Sequence, residues 1–107
     1  MNSKEIETKM KAARFVANNG KVLRAINLLR IKFVSLSELK SALEIPENEY
    51  LDCINFLFES SYIVLRLIKT KANANLADHE YEDLESKLSD KGIRLLAGKI
   101  YDDSVEV

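Results

Sequence analysis

The apolar period of this chain changes twice, and few folds accommodate the result. Up to Ser61 apolar residues recur at helical spacing. From Tyr62 they alternate, with Ile63, Leu65 and Leu67 set against Val64, Arg66 and Ile68, a β-rich run. A second alternation sets Leu84, Ser86 and Leu88 against Asp83, Glu85 and Lys87. Helical spacing then returns: Ser89 caps a short segment, L-S-D-K-G-I-R-L-L, whose Leu95 and Leu96 give an apolar face and whose exit falls at Gly98. Helices, a hairpin and a closing helix make an α+β chain that is mostly α. The stretch between the strands, Lys69 to Glu80, has no period; at 12 residues it has the length at which loops are often functional.

The helical half divides at its caps. Asn2 with Glu5, three residues on, starts a first helix on which Ile6, Met10, Ala13 and Ala17 trace one narrow stripe. Asn18, Asn19 and Gly20 read as a break, because Asn and Gly tolerate the left-handed backbone that ends helices. A second helix then buries Val22, Leu23, Ile26 and Leu29, while Lys21, Arg24 and Arg30 project elsewhere. Phe33 and Val34 suit a short strand. Ser35 with Glu38 is a cleaner capping box, ahead of a two-turn helix carrying Leu36, Leu39 and Leu43. Pro46 opens the next helix, with Glu47 and Glu49 at its positive end. That helix buries Tyr50, Ile54, Leu57 and Phe58 and exposes Asn48, Asp52, Asn55 and Glu59. The expected organisation is a basic amphipathic helix over 1–19, a domain over 20–100 and an acidic, frayed tail over 101–107.

At 107 residues, 47% hydrophobic and 31% charged, the chain has the composition of one domain with its own core. No apolar run approaches the roughly 18 to 20 residues of a membrane span, and the N-terminal segment is too polar for a secretory signal, so a cytoplasmic location is expected. Cys53, the single cysteine, falls among Ile54, Leu57 and Phe58 and reads as an inert core residue. No glycine-rich phosphate loop, serine elbow or cysteine–histidine pair is present. His79 between Asp78 and Glu80 lacks a ligand from a second element, so no catalysis, metal or cofactor is expected.

The order of elements over residues 20 to 100 resembles the winged helix-turn-helix superfamily. S-L-S-E-L-K-S-A-L-E-I looks like the first helix of its motif, and P-E-N-E-Y-L-D-C-I-N-F-L-F-E-S-S-Y-I like the recognition helix and the start of the wing. L-S-D-K-G-I-R-L-L-A-G is similar to the family's closing L-T-x-K-G-x-x-L-L. The small size and the G-x-x-x-D-D ending resemble short prophage-encoded proteins of the arsenic-repressor-like kind. The resemblance implies a winged helix with an extra N-terminal helix and a two- or three-stranded antiparallel wing. It also implies a DNA-binding or transcription-regulatory role, and a phage origin. Such folds also dock proteins, so a protein-interaction module is the alternative.

Charge is segregated along the chain: residues 1 to 32 balance at +6, 33 to 62 at −5, 63 to 72 at +3 and 73 to 90 at −5, within a net charge of −1. A duplex reader needs cations where phosphates lie, and the expected recognition helix offers none. The DNA-contact candidates are therefore Arg66, Lys69 and Lys71 at the wing, Lys21 and Arg24 on the second helix, and Asn48 and Asn55 for pairing with adenine. Glu47, Glu49 and Asp52 either suppress non-specific DNA binding or mark a surface for a basic protein partner, and Ile6, Met10 and Ala13 suit a homodimer contact. The apolar residues of the first helix are too small for membrane binding.

Overall fold

A computed structural model describes every residue except 30, so the projection expected of Arg30 lies outside the described residues. The fold is α+β and mostly helical. Helix α1 spans Ser3–Asn27, strand β1 Val34–Ser35, α2 Leu36–Leu43 and α3 Glu47–Glu59; then come β2 Ile63–Leu67, a 3-10 turn Tyr81–Asp83, β3 Leu84–Leu88 and α4 Asp90–Leu96. The three strands form one antiparallel sheet in the order β1-β3-β2, with Ile63 opposite Leu88, Arg66 opposite Glu85 and Val34 opposite Ser86. Among the described residues no helix is long and apolar enough to cross a membrane.

The caps start the helices where their side chains reach. Asn2 Oδ1 accepts from Glu5 N at 2.9 Å, Ser35 Oγ from Glu38 N at 3.3 Å and Ser89 Oγ from Gly92 N at 3.0 Å, each satisfying an amide that has no helical partner. Helix α3 ends on Ser61, whose φ of +65° lets Tyr62 N bond Leu57 O at 2.9 Å. The core lies between the helices and one face of the sheet. Leu23 and Ile26 of α1, Leu36 of α2, Tyr50, Ile54 and Leu57 of α3, Ile63, Leu84 and Leu95 are all buried, as is Cys53. The hydroxyl of Tyr50 is satisfied by Leu36 O at 2.7 Å.

The closing motif L-S-D-K-G welds α4 to the α3–β2 junction. Lys91 Nζ donates to Ser60 O at 2.9 Å and lies over the Tyr62 ring, and Ser89 N donates to Tyr62 O at 3.0 Å. A Cβ on Gly92 would fall 2.2 Å from Tyr62 O, so only glycine permits this approach.

Two expectations are corrected. Asn18-Asn19-Gly20 does not end a helix, for α1 runs through it without interruption, and the first helix and the start of the domain are one element. The tail is not frayed either, and each finding explains the other. Residues 102–106 lie across α1 as a strap: Asn19 Nδ2 donates to Ser104 O at 2.9 Å, Glu106 N to Val16 O at 3.2 Å, and Arg24 to Glu106 O at 2.5 Å. Val105 is buried, and Tyr62 Oη bonds Asp102. A Cβ on Gly20 would fall 1.8 Å from Glu106 O. Glycine costs a helix interior about 1 kcal/mol relative to alanine, but here it makes room for a backbone.

Gly20→Ala should therefore destabilise the fold by about 1 to 3 kcal/mol despite the better helix propensity, with hydrogen-exchange protection lost first at Val105 and Glu106. A raised urea midpoint would show that the strap contributes nothing. Ser86 Oγ is buried on β3 with no hydrogen-bond partner among the described residues. Ser86→Ala should consequently raise the same midpoint, by up to about 1 kcal/mol, since it removes an unsatisfied hydroxyl at nearly constant volume.

Candidate functional site

Two segments frame the outer face of α3. Burial of Tyr50, Cys53, Ile54 and Leu57 turns Glu47, Asn48, Asp52, Asn55 and Glu59 outward, all exposed. On one flank α1 passes close by: Arg14 Nε meets Glu49 Oε1 at 3.2 Å, and Phe15 packs edge-on against Phe56 with ring centroids 5.3 Å apart. Lys11, Asn18, Asn48 and Asp52 line the cleft between the two helices. On the other flank the β2–β3 connection folds back along α3.

That connection is an ordered structure and not an open loop. Lys71 N bonds Leu67 O at 3.0 Å, Ala74 N bonds Leu65 O at 3.1 Å, and Asn75 Oδ1 accepts from Asp78 N at 2.9 Å. Ala74, Leu76 and Tyr81 pack against the core, with the Tyr81 ring edge-on to Tyr50 at 6.2 Å. Asn73 to Ala77 border a groove with Asn55, Phe58 and Glu59, and Asp78, Glu80 and Asp83 border one with Leu51. The phenol of Tyr81 is pushed up by burial and by the nearby carboxylates of Glu47 and Glu82. The folded-back segment thus adds acids beside a helix that is already acidic.

The cations expected to face phosphate are divided. Arg66 and Lys71 converge on one carboxylate: Arg66 Nε lies 2.6 Å from Glu85 Oε2, and Lys71 Nζ lies 3.1 and 3.3 Å from its two oxygens. The Arg66 guanidinium also stacks over Phe33, 3.5 Å from the ring centroid. Arg24 is held by the strap. Lys69 and Lys21 are exposed and outside any ion pair among the described residues, and they lie on different elements. Ile6, Met10 and Ala13 are exposed on the free part of α1. Asn48 and Asn55 share the outer face of α3, whereas the expected wing cations lie on β2 and the connection after it, and Lys21 and Arg24 on α1.

Glu85 is the residue of this surface that reading the sequence missed. The one signal that could have found it is the hairpin register, which sets Glu85 directly opposite Arg66, but that register depends on a connection whose length gives no turn type. Cys53 is buried in the core, where burial first, then Asp52 and Glu49, push its thiol up to about 12. His79 is exposed on the folded-back segment, and no group of three potential metal ligands occurs among the described residues.

Burial alone would raise the Glu85 carboxyl, but hydrogen bonds from Arg66 and Lys71, with their charges, outweigh it and hold it below the ordinary glutamate range. A carboxyl depressed in the folded state stabilises above its unfolded pKa and loses that contribution as pH falls through the folded value. Glu85→Gln should cost about 1 to 2 kcal/mol at neutral pH and flatten the acid limb of a stability–pH curve. Parallel curves for the two proteins below pH 5 would refute the assignment. No protein-family model, curated protein or solved structure matches the chain, which leaves this surface as the ground for a functional reading.

Proposed function

We propose that this chain is a winged helix-turn-helix module that acts by binding a protein, a basic segment of the partner seating on the outer face of α3. The helix–strand–helix–helix–hairpin–helix order and the strand order β1-β3-β2 are what that family reading expects, with α2 and α3 as the helix-turn-helix and the β2–β3 hairpin as the wing. The regulatory role implied by the resemblance is then exercised through a protein. A cytoplasmic location and a phage origin belong to the same reading.

One observation carries the choice of partner. The face of α3 that would enter a groove holds Glu47, Asp52 and Glu59 and no cation, while Arg66 and Lys71 of the wing are engaged by Glu85 and Arg14 of α1 by Glu49. Phosphate neutralisation supplies nearly all non-specific affinity for DNA, and carboxylates at the groove face subtract from it. The same carboxylates attract a basic segment and speed its encounter at low salt. Duplex DNA is the second reading; it rests on the exposed Lys69 and Lys21.

Fluorescence anisotropy against a lysine-rich amphipathic peptide of about 20 residues and an arbitrary duplex, over a salt series, separates the two. Peptide binding is expected, weakened about tenfold or more by Glu47→Gln with Asp52→Asn and Glu59→Gln, with no duplex binding. A duplex affinity with a steep salt slope that Lys69→Ala reduces by about one would favour DNA and overturn the protein reading.

A further inference from the structure

The two flanks of α3 differ in charge. On the α1 side the cleft is lined by Lys11 and Arg14 as well as by Glu49 and Asp52, so its charges cancel. On the wing side two grooves, of about 420 and 440 Å³, lie between α3 and the folded-back segment, and they run into one another at Leu76 and Ala77, which line both. Four carboxylates stand along them, those of Glu59, Asp78, Glu80 and Asp83, and no lysine or arginine does. Between the acids the lining is apolar, with Leu51, Phe58, Leu76 and Tyr81 each half-buried. The carboxamides beside it are of two kinds. Asn75 is engaged by Asp78, donating through Nδ2 at 3.1 Å and accepting through Oδ1 at 2.9 Å, whereas the side chains of Asn55 and Asn73 have no hydrogen-bond partner among the described residues.

We propose that the wing-side groove holds the partner's basic segment as an extended chain, with apolar side chains on Leu51, Phe58 and Leu76 and lysines or arginines turned to the four carboxylates. The proposal rests on the reading of α3 as the seat of a basic protein segment, and it adds which flank that segment takes and in what conformation. Charge decides the flank: a basic segment meets two cations on the α1 side and none on the wing side. The carboxamides decide the conformation. A helical segment has bonded its own backbone groups and offers Asn55 and Asn73 nothing, whereas an extended one brings an unpaired N–H and C=O at every residue. Alternation of its side chains then turns one set to the apolar lining and the other to the acids. Length agrees, since Leu51 and Phe58 stand about 10 Å apart along α3 at 1.5 Å per residue, a span that about three extended residues cover at 3.3 Å each.

Two labelled peptides of about 12 residues with equal lysine and leucine content, one alternating and one at helical spacing, test the groove by fluorescence anisotropy with the full chain. The alternating peptide is expected to bind at least about fivefold tighter, a preference that Asn55→Ala with Asn73→Ala should abolish. Ala77→Arg, which puts bulk and a cation where the two grooves meet, should weaken the alternating peptide about tenfold, as should Glu59→Gln with Glu80→Gln. Asp52→Asn, on the other flank, should change its Kd by less than about twofold. All these positions are exposed, so the circular dichroism spectrum should keep its shape in every variant. Equal affinity for the two peptides, or binding indifferent to Ala77→Arg, would overturn the groove while leaving α3 as the seat of a basic segment. Binding of neither peptide would overturn both.

Discussion

Glu85 sits in the middle of the sheet with only a tenth of its side chain exposed, and a carboxylate in that position has to be paired. Most of what distinguishes this surface follows from how the pairing is made. Arg66 reaches it across the β2–β3 ladder, and Lys71 reaches it from the connection, where the backbone adopts a φ of +65° to turn the chain back. Once the chain has turned, Asn73 bridges to Arg66, and Ala74 and Leu76 are delivered to the flank of α3. One buried charge thereby engages two cations and shapes the segment that borders the candidate site.

The elements were legible because their signals are local. Capping oxygens at Asn2, Ser35 and Ser89 and the change to period two at Tyr62 each depend on residues within a few positions, and the structure uses them as their chemistry suggests. What was not legible depends on contacts between distant residues. Asn18-Asn19-Gly20 has the composition of a helix stop, and nothing nearby reveals that Ser104 and Glu106 fill the space it leaves. Tertiary packing overrode propensity there, with one term left unbalanced: Asn19 Oδ1 is buried without a partner among the described residues. The glycine of the closing motif was easier to place than to explain, since its role is set by a carbonyl thirty residues upstream.

The same distinction governs the site. Counting charge along the sequence located an acidic helix and a cationic stretch after it, and both exist. Counting could not say whether the charges of those cations are balanced, because Arg66 and Lys71 are paired with a residue in the next strand. The acids of the folded-back segment, Asp78, Glu80 and Asp83, were legible as charge but not as neighbours of α3.

Not every acid on α3 needs a partner to account for it. Glu47 and Glu49 occupy the first turn, where the helix dipole favours negative charge by about 0.3 to 1 kcal/mol each, and Glu49 has Arg14 as well. Glu59 is the contrary case. It stands in the last turn, where the dipole disfavours it, with no basic residue in that turn to compensate and with its side chain exposed beside Asn55 and Asn73. Asp52, mid-helix and exposed, gains nothing from either end, and aspartate is among the poorer helix formers. Helix stability therefore accounts for the acids at the start of α3 and argues against those further along. Of these two, Asp52 shares its cleft with Lys11 and Arg14 of α1, so Glu59 is the acid on this face for which neither the helix nor its neighbour gives a reason.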